Sequence, residues 1–229
     1  MKIMVAGTGF VGLTHAAVMA ESGHQVYGYD IDRARLDAYQ SGDRDRIERI
    51  VNEPELADII KETLGRYLFF TDDLDLALEE ADVVFLCLPT PPNRDGSTDL
   101  SMYEAAVRDI ARVLAARANK KRVVMVNKST VPIGTARFLQ QLLADAGVEN
   151  VGVASNPEVL PEGNAVELSR RPDRVGVAAD TEEDFQILRH TYPQFQNHVR
   201  IRYIETTPET AEAIKYVANT LLLTYISFW

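Results

Sequence analysis

Cysteine is almost missing from this chain: Cys87 is the only one. That excludes a disulfide framework and a cysteine-rich zinc centre. The four histidines, His15, His24, His190 and His198, lack any metal-ligand spacing, so no metal is expected. No apolar run approaches the roughly 18 residues that a membrane-spanning helix requires, so no membrane partner is expected. Positive charge is in deficit. Lys and Arg number 24 against 34 Asp and Glu, a net charge of −10, which leaves no basic field to displace counterions from nucleic-acid phosphates. Glycine interrupts Met1-Lys2-Ile3-Met4-Val5-Ala6-Gly7 too early for a signal-peptide core, and the cytoplasm is the expected compartment.

What is present is an ordinary globular composition, with 46% hydrophobic and 25% charged residues over 229 positions. Short apolar runs at residues 3–6, 25–29, 67–70, 83–88 and 122–126 read as strands, with 151–154, 174–178 and 199–203 as further candidates. Most are too uniformly apolar to have a wet face, as in a parallel sheet covered on both sides. Segments of helical period lie between them, at residues 11–21, 32–40, 101–118, 135–146 and 181–190. Alternating strand and helix predicts an α/β fold, a doubly wound and mostly parallel sheet with helices on both faces. The polar stretch 42–54 reads as a loop ahead of a short helix. At Thr207-Pro208-Glu209 a hydroxyl cap, an early proline and an acid start one more helix, which nothing breaks before Trp229. The expected division is residues 1–206 as one domain and 207–229 as the opening of a second element.

Gly7-Thr8-Gly9-Phe10-Val11-Gly12 follows the first strand and opens a helix, the context that makes G-x-G-x-x-G a dinucleotide fingerprint and the fold Rossmann-type. Gly7 permits a tight turn, Gly9 lets backbone approach a pyrophosphate, and Gly12 lets helix and strand pack. The helix N-terminus at Phe10 and Val11 then holds the anion. Asp30 closes the second strand 18 residues after Gly12, where its carboxylate can accept bonds from both adenosine ribose hydroxyls. An acid there repels a 2′-phosphate, favouring NAD over NADP; Arg35, five residues on, softens that exclusion.

Three more segments stop strands at stiff proline turns: Leu88-Pro89-Thr90-Pro91-Pro92, Lys128-Ser129-Thr130-Val131-Pro132-Ile133-Gly134-Thr135, and Asn156-Pro157-Glu158-Val159-Leu160-Pro161-Glu162-Gly163. Doubly wound sheets bind ligands at such strand ends. With Pro172-Asp173-Arg174 and the Ala211–Asn219 segment A-E-x-x-K-Y-x-x-N, these motifs resemble the UDP-glucose/GDP-mannose dehydrogenase family across essentially the whole chain. The resemblance implies oxidation of a nucleotide sugar, UDP-glucose foremost, at its C6 alcohol to a carboxylate with two NAD in succession. It implies that Thr90, Thr130 and Glu162 line the nicotinamide side, and that Glu158, Val159 and Leu160 face the sugar. Thr130 and Glu158 would hold a catalytic water, and Lys215 and Asn219 would stabilise charge on the C6 oxygen. It also implies a homodimer through the C-terminal helix.

Geometry bears separately on the last pair. Residues i and i+4 lie about 40° apart around a helix, so Lys215 and Asn219 share a face. Spacing alone also fits a snorkelling lysine beside a solvated asparagine. The sequence departs from the family at Pro161, where Arg or Ala is usual, and at Tyr225, where Lys is. The family's nucleophilic Cys, from a downstream G-G-x-C segment, has no counterpart, and Cys87 within residues 83–88 reads as a buried hydrophobe. The expectation is therefore a fragment without the nucleophile. Two alternatives stand beside it: a non-catalytic NAD-binding module, and a hydroxy-acid dehydrogenase of the 6-phosphogluconate or 3-hydroxyisobutyrate type. The latter also has a Lys-x-x-x-Asn helix but lacks the K-S-T-V-P and N-P-E-x-L segments.

Overall fold

The computed structural model describes residues 1–119, 121–157, 160–192, 195 and 199–228. The chain begins β1 (Lys2–Ala6), α1 (Phe10–Glu21), β2 (Gln25–Tyr29), α2 (Arg33–Gln40), α3 (Arg44–Glu48), α4 (Leu56–Thr63) and β3 (Leu68–Thr71). It continues α5 (Leu74–Leu78), β4 (Val83–Leu86), α6 (Ser101–Ala116), β5 (Val123–Asn127), α7 (Thr135–Asp145) and β6 (Val151–Ser155). The last elements are α8 (Ala165–Arg170), β7 (Arg174–Ala178), α9 (Glu182–Thr191), β8 (Arg202–Thr206) and α10 (Pro208–Phe228).

The strands form one sheet in the order β3-β2-β1-β4-β5-β6-β7-β8. All neighbours are parallel except β6 and β7, which meet antiparallel at Ser155 and Ala178. The order reverses between β1 and β4, so the crevice for a ligand opens above the carboxyl ends of those strands. Side chains alternate between two cores. Ile3, Val5, Val83, Phe85, Val124 and Val126 pack with α1 and α4 on one face, while Met4, Ala6, Val84, Leu86, Val123 and Met125 pack with α6 and α7 on the other. That double burial is why the central strands read as unbroken apolar runs.

Four expectations need correcting. The stretch 42–54 holds α3, capped by the Asp43 carboxylate, which accepts from Arg46 N–H at 3.0 Å. Helices α5 and α8 were not anticipated; at five and six residues they are too short to show a helical period. The last strand lies three residues beyond 199–203, in register with β7 from Arg174↔Arg202 to Ala178↔Thr206. As the edge strand it is little buried, and apolarity misled: Val199 is fully exposed. Finally, β4 ends at Leu86, so Cys87 lies past the strand and is only half-buried.

Candidate active site

Steric necessity builds the dinucleotide turn. Gly7 has φ +88°, and a Cβ there would lie 2.6 Å from the Cys87 carbonyl oxygen. A Cβ on Gly12 would lie 1.9 Å from the Gly7 carbonyl oxygen, so α1 can rest against the turn only with glycine at that position. At Gly9 a Cβ would meet nothing within 4 Å. Gly9 is also the N-cap of α1 and supplies no side-chain cap, and the helix has no acid in its first turn. Donors at Phe10 and Val11 are therefore left for an outside anion, and the cradle fits a pyrophosphate.

Asp30 is 7% exposed and sits beside this turn. Its Oδ2 accepts from the Thr8 N–H (2.8 Å), the Thr8 hydroxyl (2.8 Å) and the Arg35 guanidinium (2.9 Å), and its Oδ1 from the Asp32 N–H (3.1 Å). Burial pushes the carboxyl up, but the bonds from Thr8, Asp32 and Arg35 outweigh it and hold the group below its ordinary value. Asp30 thus fixes the turn through Thr8, a role the fingerprint did not reveal. Tyr39 joins by donating to the Thr8 carbonyl at 2.9 Å. Asp30→Ala is expected to lower NAD affinity at least tenfold in titration calorimetry, with NADP binding weaker than NAD in the unaltered chain. Tighter NADP binding would sink the assignment of Asp30 to the ribose.

The proline-turn segments meet at the carboxyl ends of β4, β5 and β6. The Thr90 hydroxyl donates to the Thr130 carbonyl at 2.9 Å, and the Ser129 hydroxyl to the Leu88 carbonyl at 2.7 Å. Lys128, 6% exposed, donates to Asn156 Oδ1 at 2.9 Å, and the same oxygen accepts from the Tyr192 hydroxyl at 2.8 Å. Asn156 passes the connection on by donating to the Gly176 carbonyl at 2.6 Å. Glu158 and Val159 lie outside the described residues. Leu160 is half-buried and Glu162 is exposed. Glu53 holds the far end of this loop, accepting from Gly163 N–H (2.7 Å) and Ala165 N–H (2.6 Å).

The first turns of α10 dock onto this cluster. Glu212, 3% exposed, accepts from the Gly134 N–H at 2.7 Å and the Ala136 N–H at 2.8 Å, capping α7 in place of the side chain that Gly134 lacks. Burial holds the Glu212 carboxyl above its ordinary value, against those two bonds. One turn on, Lys215 is 8% exposed and lines a recess with Asn127, Ser129, Val131, Ser155, Pro157 and Glu212. The structure therefore gathers Lys215 with the K-S-T and N-P segments. Asn219 is exposed, as is nearly all of α10 beyond it. Missed from the sequence were Thr8, Asn127, Ser155, Glu53, Tyr192 and Glu212. Only Glu212 carried a signal, an acid inside A-E-x-x-K next to an uncapped glycine-led helix.

Among the described residues no group of three or more His, Cys, Asp or Glu could hold a metal ion, and no helix is long and apolar enough to cross a membrane. The family model described as UDP-glucose/GDP-mannose dehydrogenase family, NAD binding domain, matches residues 1–196. UDP-glucose 6-dehydrogenase of Pseudomonas aeruginosa is 38% identical over 235 residues, covering 100% of this chain and 49% of the relative. A UDP-glucose dehydrogenase structure from Pyrobaculum islandicum superposes with TM-score 0.89 at 34% identity, covering 99% of this chain and 50% of that one. The structure of a ternary complex of GDP-mannose dehydrogenase from Pseudomonas aeruginosa does so with TM-score 0.90 at 27% identity, over 100% and 51%. The chain thus spans about half the length of these relatives.

Proposed function

The chain belongs to the UDP-glucose/GDP-mannose dehydrogenase family, its first 196 residues matching the NAD-binding domain, and from that premise we propose that it serves NAD-dependent oxidation of the C6 alcohol of a nucleotide sugar, UDP-glucose first, in the cytoplasm. The observation that carries the reading is the burial of Lys215 at the ends of β5 and β6, beside the K-S-T and N-P turns. Gly7, Gly9, Phe10, Val11 and Gly12 hold the pyrophosphate, Asp30 and Arg35 the adenosine ribose, and Thr90, Thr130 and Glu162 the nicotinamide side. When bound, NAD supplies the hydride acceptor. Lys215 and Asn219 bring an ammonium and an amide to the C6 oxygen as its proton leaves, an interaction that gains strength where water is excluded. Glu158, Val159 and Leu160 face the hexose, and Thr130 with Glu158 orients the water that completes the carboxylate. The domain division at residue 206 belongs to the same reading.

Saturation-transfer NMR suits a weak ligand and tests this. With NAD present, transfer to the hexose protons of UDP-glucose is expected and is lost in Lys215→Ala. Preferential transfer to 6-phosphogluconate or 3-hydroxyisobutyrate would instead place the chain in the hydroxy-acid class.

The 229 residues alone are not expected to form UDP-glucuronate. Passing from aldehyde to acid through a thiohemiacetal and thioester needs an accessible thiolate. The single thiol here, Cys87, is half-buried behind the dinucleotide turn and is not among the residues lining the Lys215 recess. Product analysis after incubation with NAD and UDP-glucose checks this; UDP-glucuronate formed by the pure chain and lost in Cys87→Ser would overturn it.

The same reading makes α10 a dimer element. Ile214, Leu221, Leu222, Tyr225 and Phe228 are 51%, 63%, 59%, 67% and 83% exposed, an apolar surface suited to a second copy; Trp229 lies outside the described residues. Sedimentation is expected to show a concentration-dependent dimer, weakened by Leu221→Lys; a monomer throughout would contradict it.

A further inference from the structure

The recess under Lys215 has a feature that the proposed chemistry leaves unused. Its walls bring together Asn127 and Ser129 from the β5 end, Ser155 and Pro157 from the β6 end, and Glu212 and Lys215 from α10. It has room for about one water molecule. Two polar atoms of its lining residues, Asn127 Nδ2 and Ser155 Oγ, are buried with no hydrogen-bond partner among the described residues, and each residue is 2% exposed. Neither can turn to solvent. Asn127 Oδ1 accepts from the hydroxyl of Tyr103, itself fully buried, and Ser155 is the last residue of β6, paired with Asn127 on one side and Ala178 on the other. Two adjacent orphaned polar groups are rare in a native interior, because each forfeits its bonds to water.

The four polar groups complement one molecule. Asn127 Nδ2 and the Lys215 ammonium donate, the Glu212 carboxylate accepts, and the Ser155 hydroxyl can do either. Water has two lone pairs for the two donors and two hydrogens for Glu212 and Ser155, and a buried water typically makes two to four such bonds. We propose that the recess holds a single ordered water bridging Asn127, Ser155, Glu212 and Lys215, and that Asn127 and Ser155 are positioning residues for the Lys215 ammonium. The water sets how far the flexible lysine stem reaches out of the recess. The water site stands on the lining residues alone; the consequence for chemistry rests on the reading of Lys215 given above.

A crystal structure of the chain at high resolution is expected to show a peak within about 3.2 Å of both Ser155 Oγ and Asn127 Nδ2. An empty recess would overturn the proposal. Stability supplies a second readout whose sign discriminates. With the water in place, Ser155→Ala removes one of its partners, and the unfolding midpoint falls by about 2–4 °C. Were the hydroxyl merely orphaned, its removal would leave the midpoint unchanged or raise it, against the proposal. For the positioning role, the Lys215 ammonium proton signal in 15N NMR is expected to be slowly exchanging in the native chain and lost by exchange broadening in Ser155→Ala. A signal unaltered by that variant would refute positioning. Failure of the sugar reading would appear separately, as absent saturation transfer from a chain that still holds its water.

Discussion

Gly12→Ala is expected to abolish NAD binding and to destabilise the fold by about 3 kcal/mol, the upper range for overpacking a core. The added methyl falls 1.9 Å from the Gly7 carbonyl oxygen and 3.0 Å from the Cys87 Cβ. The first obstacle is backbone, so relief requires α1 to move off the turn proposed to carry the cofactor donors. Gly9→Ala makes the informative contrast. Nothing lies within 4 Å of its added Cβ, so the unfolding midpoint stays near native while NAD affinity drops by steric exclusion of the pyrophosphate. Calorimetric titration and thermal unfolding of both variants check this. Undiminished NAD binding by Gly9→Ala would show that the cofactor does not approach the backbone there.

The second large effect is loss of stability in mild acid. His15 is held well below the ordinary histidine range, first by burial, then by the Lys128 ammonium and by His24. Its ring meets Phe85 edge-on at 4.2 Å, and its Nε2 has no partner among the described residues. His24 is also lowered, by burial and the N-terminal ammonium, against the opposing pull of the Thr191 carbonyl and Asp82. The unfolded chain therefore takes up protons near pH 6.5 that the folded chain refuses. Stability is full above that pH and falls as the pH drops from there toward the depressed folded values. For His15 alone the loss approaches about 1.4 kcal/mol per pH unit. Urea unfolding between pH 7.5 and 5 should show the slope, and His15→Leu should flatten it. An unchanged slope in that variant would assign the acid sensitivity elsewhere.

Legibility in the sequence followed the range of the physics involved. The central strands were legible because two cores bury both their faces, so Val83–Leu86 and Val123–Asn127 consist almost wholly of apolar residues. The edge strand Arg202–Thr206 was misplaced because pairing with β7, not burial, sets its position. Gly7, Gly12 and Asp30 were legible because a turn against a helix admits few residue types. The supports of the site were not, because they act across long separations. Glu53 holds Gly163 from 110 residues away, Glu212 caps α7 from 76, and Tyr192 reaches Asn156 from 36. Each is an ordinary acid or phenol in its local context, and only folding makes it a partner. The spacing of Lys215 and Asn219 put both on one helix face and only the family resemblance implied a site there, yet only Lys215 is buried. Lys215 is the last buried residue of α10, and the helix is exposed from Asn219 on.

Co-crystallisation of the chain with NAD and UDP-glucose would show directly where the sugar sits relative to Lys215. The hexose C6 oxygen is expected within hydrogen-bond reach of Lys215 Nζ, above the carboxyl ends of β5 and β6, with the pyrophosphate of NAD on the Gly7–Gly12 turn. A hexose seated away from Lys215 while NAD occupies its cradle would contradict the assignment of nucleotide-sugar oxidation to this site.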